Sequence, residues 1–160
     1  MSINKYFTTT ILTLSVFSPV SIIFSNPVNS QTDYLVLEKS IHQKVNQYRQ
    51  SKKLSPLKFD SRISEEARKH SQNMANKTVP FSHQGFETRV VNTRINYRSV
   101  AENVAYNQGH KNPDQVAVDG WIKSLGHQKN MVGNFNLTGV GVAKNAQGEY
   151  YFTQIFMLEK

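Results

Sequence analysis

The chain has 160 residues, a formal net charge of +8 and no cysteine. The absence of cysteine excludes disulfides, thiolate zinc sites and a cysteine nucleophile, so only histidine and carboxylate side chains remain as strong metal ligands. The basic residues are scattered and form no long run, which favours a solvated basic surface and argues against a nucleic-acid partner.

The first 30 residues have the pattern of a secretory signal peptide. Lys5 precedes an apolar run over residues 11–24, and a polar stretch with small residues then ends at Ser30. A membrane anchor is the alternative, but the run is short for a membrane span and contains many Ser and Thr residues. We therefore predict a signal peptide over residues 1–30 with cleavage after Ser30.

The remaining residues, 31–160, have the length of one domain with a sizeable core. The signal peptide predicts that this domain is secreted or periplasmic. After cleavage it would not be an integral membrane protein, and we expect a monomer.

Two amphipathic helices are predicted in the first half of the domain. One runs from Asp33, as N-cap, to about Lys53, because its apolar residues recur at helical spacing. The second runs from about Ser61 to Lys77 and is capped by Asp60 or Ser61. Its buried face would contain Ile63, Ala67, His70 or Ser71, and Met74.

The middle of the chain is less regular. Pro80 and Gly85 indicate a loop that carries His83. A short helix over residues 87–95 and a short strand over residues 100–106 are predicted to follow.

A third long helix is predicted from Asp114, as N-cap, to Gly126, where the glycine would let the backbone turn. A brief helical turn would then cover residues 128–132. Two β-rich runs, 137–144 and 149–156, predict a C-terminal hairpin.

Glycines in the first run of this hairpin, Gly139 and Gly141, indicate close packing against another backbone. Three long helices with an antiparallel sheet predict an α+β sandwich in one domain.

Three polar side chains are candidates for a shared cleft. His127 follows the Trp121-containing helix, and His83 and Glu102 lie upstream. Brought together, two imidazoles and a carboxylate could hold a divalent metal or move a proton.

The ordered set of motifs resembles the CAP superfamily of cysteine-rich secretory proteins, insect venom antigen 5 and plant pathogenesis-related proteins. It is most similar to the cysteine-free bacterial branch. The resemblance spans about residues 35–157 and rests on these segments: residues 46–49, residues 54–57 with Asp60, residues 67–74, His83 with residues 85–86 and Arg89, residues 101–105, residues 121–130, and the hairpin residues 138–143 and 151–156.

The resemblance implies a three-layer α-β-α sandwich with a cleft that contains two histidines and two acids. Carried over, the histidines are His83 and His127 and the first acid is Glu102. The second acid position, three residues after the tryptophan, holds Ser124 here. A hydroxyl cannot replace a carboxylate as general base or charged ligand, so the full set of four is not present.

Zn²⁺ or another divalent cation is the cofactor that these residues would suit. His83, His127 and Glu102 could supply three ligands with one open position. Glu102 could instead hydrogen-bond one histidine from behind, or be a carboxylate buried beside a cation that joins a strand to a helix.

Supporting roles are expected for four further residues. Arg49 would tie loops together as a buried guanidinium, one helical turn from Asn46. Asn130 would hydrogen-bond the backbone near the cleft, and Asn103 adjoins Glu102. The other histidines, His42, His70 and His110, are expected at the surface or at an edge.

Several functions remain open at this point. The favoured one is an exported binding module without turnover, with a lipid, a sterol-like molecule or a glycan as ligand, as the resemblance implies. The alternative is a metal-dependent extracellular hydrolase of peptides or cell-wall material, in which Glu102 activates water. A purely structural surface protein is a third possibility. Ser124 as a nucleophile is disfavoured because no oxyanion hole is evident.

Overall fold

The computed structural model describes residues 28–160, with side chains from Asp33 onward. The predicted signal peptide therefore lies outside the described residues, apart from residues 28–30, which begin the first helix. The elements in chain order are α1 (Val28–Ser51), β1 (Lys58–Phe59), α2 (Ser61–Ala75), α3 (Phe86–Asn92), β2 (Tyr97–Gln108), α4 (Pro113–Lys123), α5 (Leu125–Met131), β3 (Leu137–Lys144) and β4 (Glu149–Glu159). None of the helices in this part of the chain combines the length and the apolar character that a membrane crossing requires.

The predicted three-layer sandwich is confirmed. The sheet is its middle layer. Its strand order is β1-β3-β4-β2, and β2 forms one edge. The pairs β3–β4 and β2–β4 are antiparallel, whereas β1 pairs with β3 in parallel. The strand β1 was not predicted, because two residues are too few to show an alternating pattern.

Each face of the sheet is covered by its own helices. Helices α1, α4 and α5 bury one apolar cluster, whose largest members are Ile41, Trp121, Met131, Phe152 and Phe156. Helices α2 and α3 bury a second cluster on the opposite face: Ile63, Ala67, Val90, Ile95, Leu137, Ile155 and Met157.

The approach of α2 to β3 depends on the two glycines singled out in the sequence. A Cβ atom at Gly139 would lie 2.3 Å from the backbone nitrogen of Ser64, and one at Gly141 would lie 2.1 Å from that of Arg68. Both distances are far below van der Waals contact, so the predicted close packing is confirmed.

The boundaries of α1 and β2 differ from the predictions, whereas the cap of α2 agrees with them. Helix α1 begins before Asp33, so this residue lies inside the helix and is not its N-cap. Asp60 is the N-cap of α2, as predicted, and accepts a hydrogen bond from the Arg62 N–H. Strand β2 extends over 12 residues, because its whole length pairs with β4.

The segment that carries His127 also differs. Helix α4 has Asn112 as N-cap, with Pro113 in its first turn, rather than Asp114. The helix breaks at Ser124, which has an extended conformation (φ −96°, ψ 115°), and α5 starts at the next residue. Gly126 lies within α5, so the turn predicted at this glycine is wrong and Ser124 makes it.

Candidate functional site

Glu102, in the middle of β2, is the buried centre of the candidate site. Both of its carboxylate oxygens are bound by Arg89 of α3: Nε donates to Oε2 at 2.9 Å and Nη2 donates to Oε1 at 2.8 Å. The side chain of Glu102 is 1% exposed and that of Arg89 is 9% exposed. This two-pronged ion pair joins β2 to α3.

His83 is oriented by the same carboxylate. Its Nδ1 lies 2.9 Å from Oε1 of Glu102, while about half of its side chain is exposed. A carboxylate whose two oxygens already accept from a guanidinium acts as an acceptor toward the ring as well, so Nδ1 carries the proton and donates. In the neutral ring, Nε2 then keeps its lone pair and is free to bind a metal.

The loop that carries His83 is fixed from two sides. Arg89 also donates to the carbonyl oxygen of Gln84 at 2.7 Å. On the other side, Nε2 of His70 in α2 lies 2.8 Å from the carbonyl oxygen of Ser82. These contacts hold the backbone on both sides of His83, so the imidazole projects from a rigid base.

The prediction that His70 lies at the surface or an edge is wrong, because its side chain is buried at 2% exposure. Burial lowers the pKa of His70 below its ordinary value, and the neutral ring donates to the Ser82 carbonyl. The helical pattern predicted either His70 or Ser71 on the buried face of α2, and the alternative with His70 on that face is correct. His42 and His110, by contrast, are half-buried and exposed, respectively.

His127 is placed by two asparagines that join α5 to β2. The amide of Asn103, which is fully buried, donates to the carbonyl oxygen of His127 at 3.1 Å. The amide of Asn130 donates to Oδ1 of Asn103 at 2.9 Å and to the Glu102 carbonyl at 3.2 Å. Their positions beside the cleft agree with the supporting role expected of them.

The two candidate histidines lie close enough to interact. Burial lowers the pKa of His127, and the charge that His83 carries when protonated lowers it further. His127 is therefore neutral at pH 7 and available as a ligand.

His83 and His127 are the side chains of this site whose ring nitrogens could bind a divalent cation, with Glu102 behind one of them. In the part of the chain that the structure describes, no group of three or more His, Asp or Glu side chains is placed to hold a metal. The set of His83, His127 and Glu102 therefore does not form three direct ligands. Arg89 also cancels the charge of Glu102, so any cation would be held mainly by the two neutral rings.

Ser124, at the second acid position, lies beside His127 in a shallow groove between β2 and α4. The groove has a volume of about 390 Å³ and includes Trp121, Tyr106 and Phe81 among its lining residues. The hydroxyl of Ser124 caps neither α4 nor α5.

Asn46 and Arg49 lie in α1 and act on backbone away from Glu102. The amide group of Asn46 pairs with the N–H and carbonyl of Leu57, at 2.8 and 3.0 Å. The buried guanidinium of Arg49 donates to four carbonyl oxygens, those of Ser55, Met131, Gly133 and Phe135. Arg49 thus ties loops together, as expected, and anchors the end of α5.

Arg89 is the residue of this site that the sequence reasoning passed over. In the sequence it stands only among the residues that carry the resemblance, although a cation beside Glu102 is one of the alternatives there. Gly85, the N-cap of α3 (φ 77°), precedes Arg89 by four residues, and Arg89 donates to the carbonyl of Gln84 next to this cap.

The comparisons with known proteins agree on one family. Residues 42–156 match the family described as CAP, the cysteine-rich secretory protein family. The chain is 35% identical over 123 residues to protein YkwD of Bacillus subtilis (strain 168), covering 73% of this chain and 46% of that protein. It is 30% identical over 125 residues to the membrane protein YlbC of the same organism, covering 75% of this chain and 34% of that protein. The chain thus spans less than half the length of these two relatives.

Solved structures share the fold at lower identity. An extracellular protein with an SCP domain from Bacillus anthracis str. Ames has a TM-score of 0.73 at 23% identity, covering 89% of this chain and 45% of that one. An outer surface protein from Borrelia burgdorferi has a TM-score of 0.66 at 17% identity, covering 76% of this chain and 92% of that one. With the family match over most of the chain, these findings establish that the protein belongs to the cysteine-rich secretory protein (CAP) family.

Proposed function

We propose that the protein is an exported binding module whose His83 and His127 side chains bind a divalent cation such as Zn²⁺, without turnover. The observation that carries this proposal is the hydrogen bond from His83 Nδ1 to Glu102, since it leaves Nε2 free, and the charge of a protonated His83 acts on the neutral ring of His127. Water or a ligand group would occupy the remaining coordination positions.

The state of Glu102 favours binding over hydrolysis. A general base must reach the water that it activates, but the Glu102 side chain is almost fully buried and both oxygens are bound. Ser124 adds no carboxylate in its place. The metal-dependent hydrolase is therefore the less supported alternative.

Export rests on the pattern of residues 1–30, which stays a prediction. The extracellular and outer-surface relatives named above support it. A lipid, a sterol-like molecule or a glycan as ligand also stays a prediction from the resemblance, as does the monomeric state.

Calorimetric titration with Zn²⁺ tests the cation site. We expect about one equivalent to bind, more weakly than at zinc sites with three protein ligands, and binding to be lost in both His83→Gln and His127→Gln. The matched control is His110→Gln, because His110 is exposed and lies outside the site. Absence of heat with the unaltered protein, or binding that survives in either site variant, would overturn the proposal.

The unaltered protein also serves to test the hydrolase alternative. Cleavage of casein or peptidoglycan that a chelator abolishes, and that His83→Gln removes, would show a hydrolase and contradict binding without turnover.

A further inference from the structure

We propose that the groove between β2 and α4 binds an uncharged, extended peptide segment, which pairs with the free edge of β2 at Tyr106. This goes beyond the cation site, with which the groove shares only His127 among its lining residues.

At the sheet edges, side chains from the helices hydrogen-bond backbone groups that have no neighbouring strand to pair with. Strand β1 covers only the start of β3. Beyond it, the N–H of Val140 donates to the Ser64 hydroxyl and the N–H of Val142 donates to the Glu38 carboxylate. Backbone groups that would otherwise be open to another strand are thereby satisfied.

Strand β2 is covered in the same way over part of its length. The carbonyl of Glu102 accepts from Asn130, and that of Val104 accepts from the Trp121 indole N–H at 3.1 Å. Glu102 and Val104 are two residues apart in the strand. The backbone N–H and carbonyl groups of both residues therefore point away from β4 in the antiparallel pairing.

Tyr106 is the next residue whose backbone groups point away from β4, and no helix side chain of the described residues hydrogen-bonds them. By the same alternation, its N–H and carbonyl face the open edge. Among the hydrogen bonds of the described residues, neither Tyr106 backbone group has a side-chain partner. The residue itself is 56% exposed. An edge residue of this kind is where an extended peptide adds a strand.

Aromatic rings stand beside this open position. The ring of Tyr106 lies edge-on to Phe81 at 5.1 Å and stacks on Tyr151 at 6.0 Å. Phe81 is 46% exposed, so a hydrophobic surface is available where a bound strand would place a side chain.

Asn107 lines the same groove and has an unsatisfied acceptor. Its amide nitrogen donates to the Pro113 carbonyl at 2.8 Å, but its Oδ1 has no hydrogen-bond partner although the residue is only 8% exposed. A buried acceptor without a partner is costly, and an N–H group of a ligand would satisfy it after a small movement of the side chain.

The chemistry of the lining selects among ligands. The groove contains no Lys, Arg, Asp or Glu, and most of its lining is apolar. Charged polymers have no partner there. An acyl chain would leave the Asn107 acceptor and the Tyr106 backbone unsatisfied, and a sugar would not pair with a strand edge. A peptide supplies backbone N–H and carbonyl groups together with small apolar side chains.

Gly120 of α4 allows the groove to be filled without disturbing the fold. A Cβ atom at Gly120 would meet no atom within 4 Å, and the residue lines the groove. Gly126 of α5 has the same open surroundings but does not line the groove. The pair Gly120→Leu and Gly126→Leu therefore gives a blocking variant and a matched control.

The experiment uses the ¹⁵N-labelled protein and the capped peptide acetyl-Thr-Val-Thr-Ala-amide at about 1 mM, a concentration that detects weak binding. We expect the Tyr106 and Gly120 amide signals and the indole signal of Trp121, the one tryptophan of the chain, to shift together. Hydrogen exchange of the Tyr106 amide should slow, because only backbone pairing protects that group. Gly120→Leu should weaken binding at least ten-fold, and Gly126→Leu should leave it unchanged.

Three outcomes would overturn the inference: no shift at these signals, equal shifts in Gly120→Leu, or shifts without protection of the Tyr106 amide. Shifts with chitotriose or dodecylphosphocholine, but not with the peptide, would assign the groove to a glycan or an acyl chain instead. Peptide binding should persist in His83→Gln. Failure of the cation site would then leave the peptide result unaffected.

Discussion

At the scale of single residues, the buried pair of Arg89 and Glu102 determines what the site can do. The pair removes the carboxylate from solvent and leaves it free only to orient His83. A buried ion pair of this kind contributes little net stability as a unit, but removing one partner leaves a buried charge without compensation.

Replacing Arg89 by Met should therefore lower the free energy of unfolding by about 3–5 kcal/mol, because Glu102 would stay buried without its partner. Urea denaturation measures this change. Arg98→Met, an exposed position on β2, should change stability by less than about 0.5 kcal/mol. A loss below about 1 kcal/mol for Arg89→Met would show that Glu102 is compensated elsewhere.

The buried ring of His70 predicts a pH dependence of stability. Since burial lowers its pKa in the folded state, the unfolded chain binds this proton more readily. The contribution is complete above the ordinary pKa of about 6.5 and is lost as the pH falls below it, by at most about 1.4 kcal/mol per pH unit.

Urea denaturation between pH 7 and pH 5 measures this slope. We expect His70→Asn to have a shallower decline of the unfolding free energy than the unaltered protein, whereas His110→Asn keeps the original slope. Parallel declines for His70→Asn and the unaltered protein would mean that His70 does not titrate differently on folding.

At the scale of elements, α2 packs backbone to backbone against β3. At Gly141 an added Cβ atom meets the backbone of Ala67 and Arg68, which cannot rotate away as a side chain could. The same sheet edge is sealed by Glu38, whose carboxylate also pairs with Arg68 at 2.7 Å.

Gly141→Ala should destabilise the protein by about 1–3 kcal/mol or more, since α2 must move away from the sheet. Gly126→Ala is the matched control and should stabilise by about 0.5–1 kcal/mol, because alanine favours the helix and meets no neighbour. Thermal denaturation distinguishes the two. Equal melting temperatures for both variants would contradict the close packing.

The elements that the sequence predicted best were those with a strong repeating pattern or cap. Helix α2 and the hairpin followed from regular apolar spacing, and Asp60 marked the start of α2. The break at Ser124 could not be predicted, because serine has no conformational preference that competes with the glycine two residues later. Strand β1 exists only through pairing with β3, which local sequence does not encode.

At the scale of the whole molecule, the three layers bring together residues that lie far apart in the chain. His83 comes from a loop between α2 and α3, Glu102 from β2 and His127 from α5, and sheet pairing and two asparagines align them. The sequence supplied the candidate residues through a family resemblance. It did not supply the geometry that turns Glu102 toward Arg89, since that depends on the packing of α3 against the sheet.

We propose that His83 and His127 bind one cation together while Glu102 stays behind His83. Long-range ¹H–¹⁵N spectra of the imidazole rings, recorded during addition of Zn²⁺, test it most directly. We expect Nε2 of His83 and one ring nitrogen of His127 to reach metal-bound shifts together at one equivalent, while the rings of His42, His70 and His110 do not change. Metal-bound shifts at only one of the two rings, or at neither, would contradict this proposal.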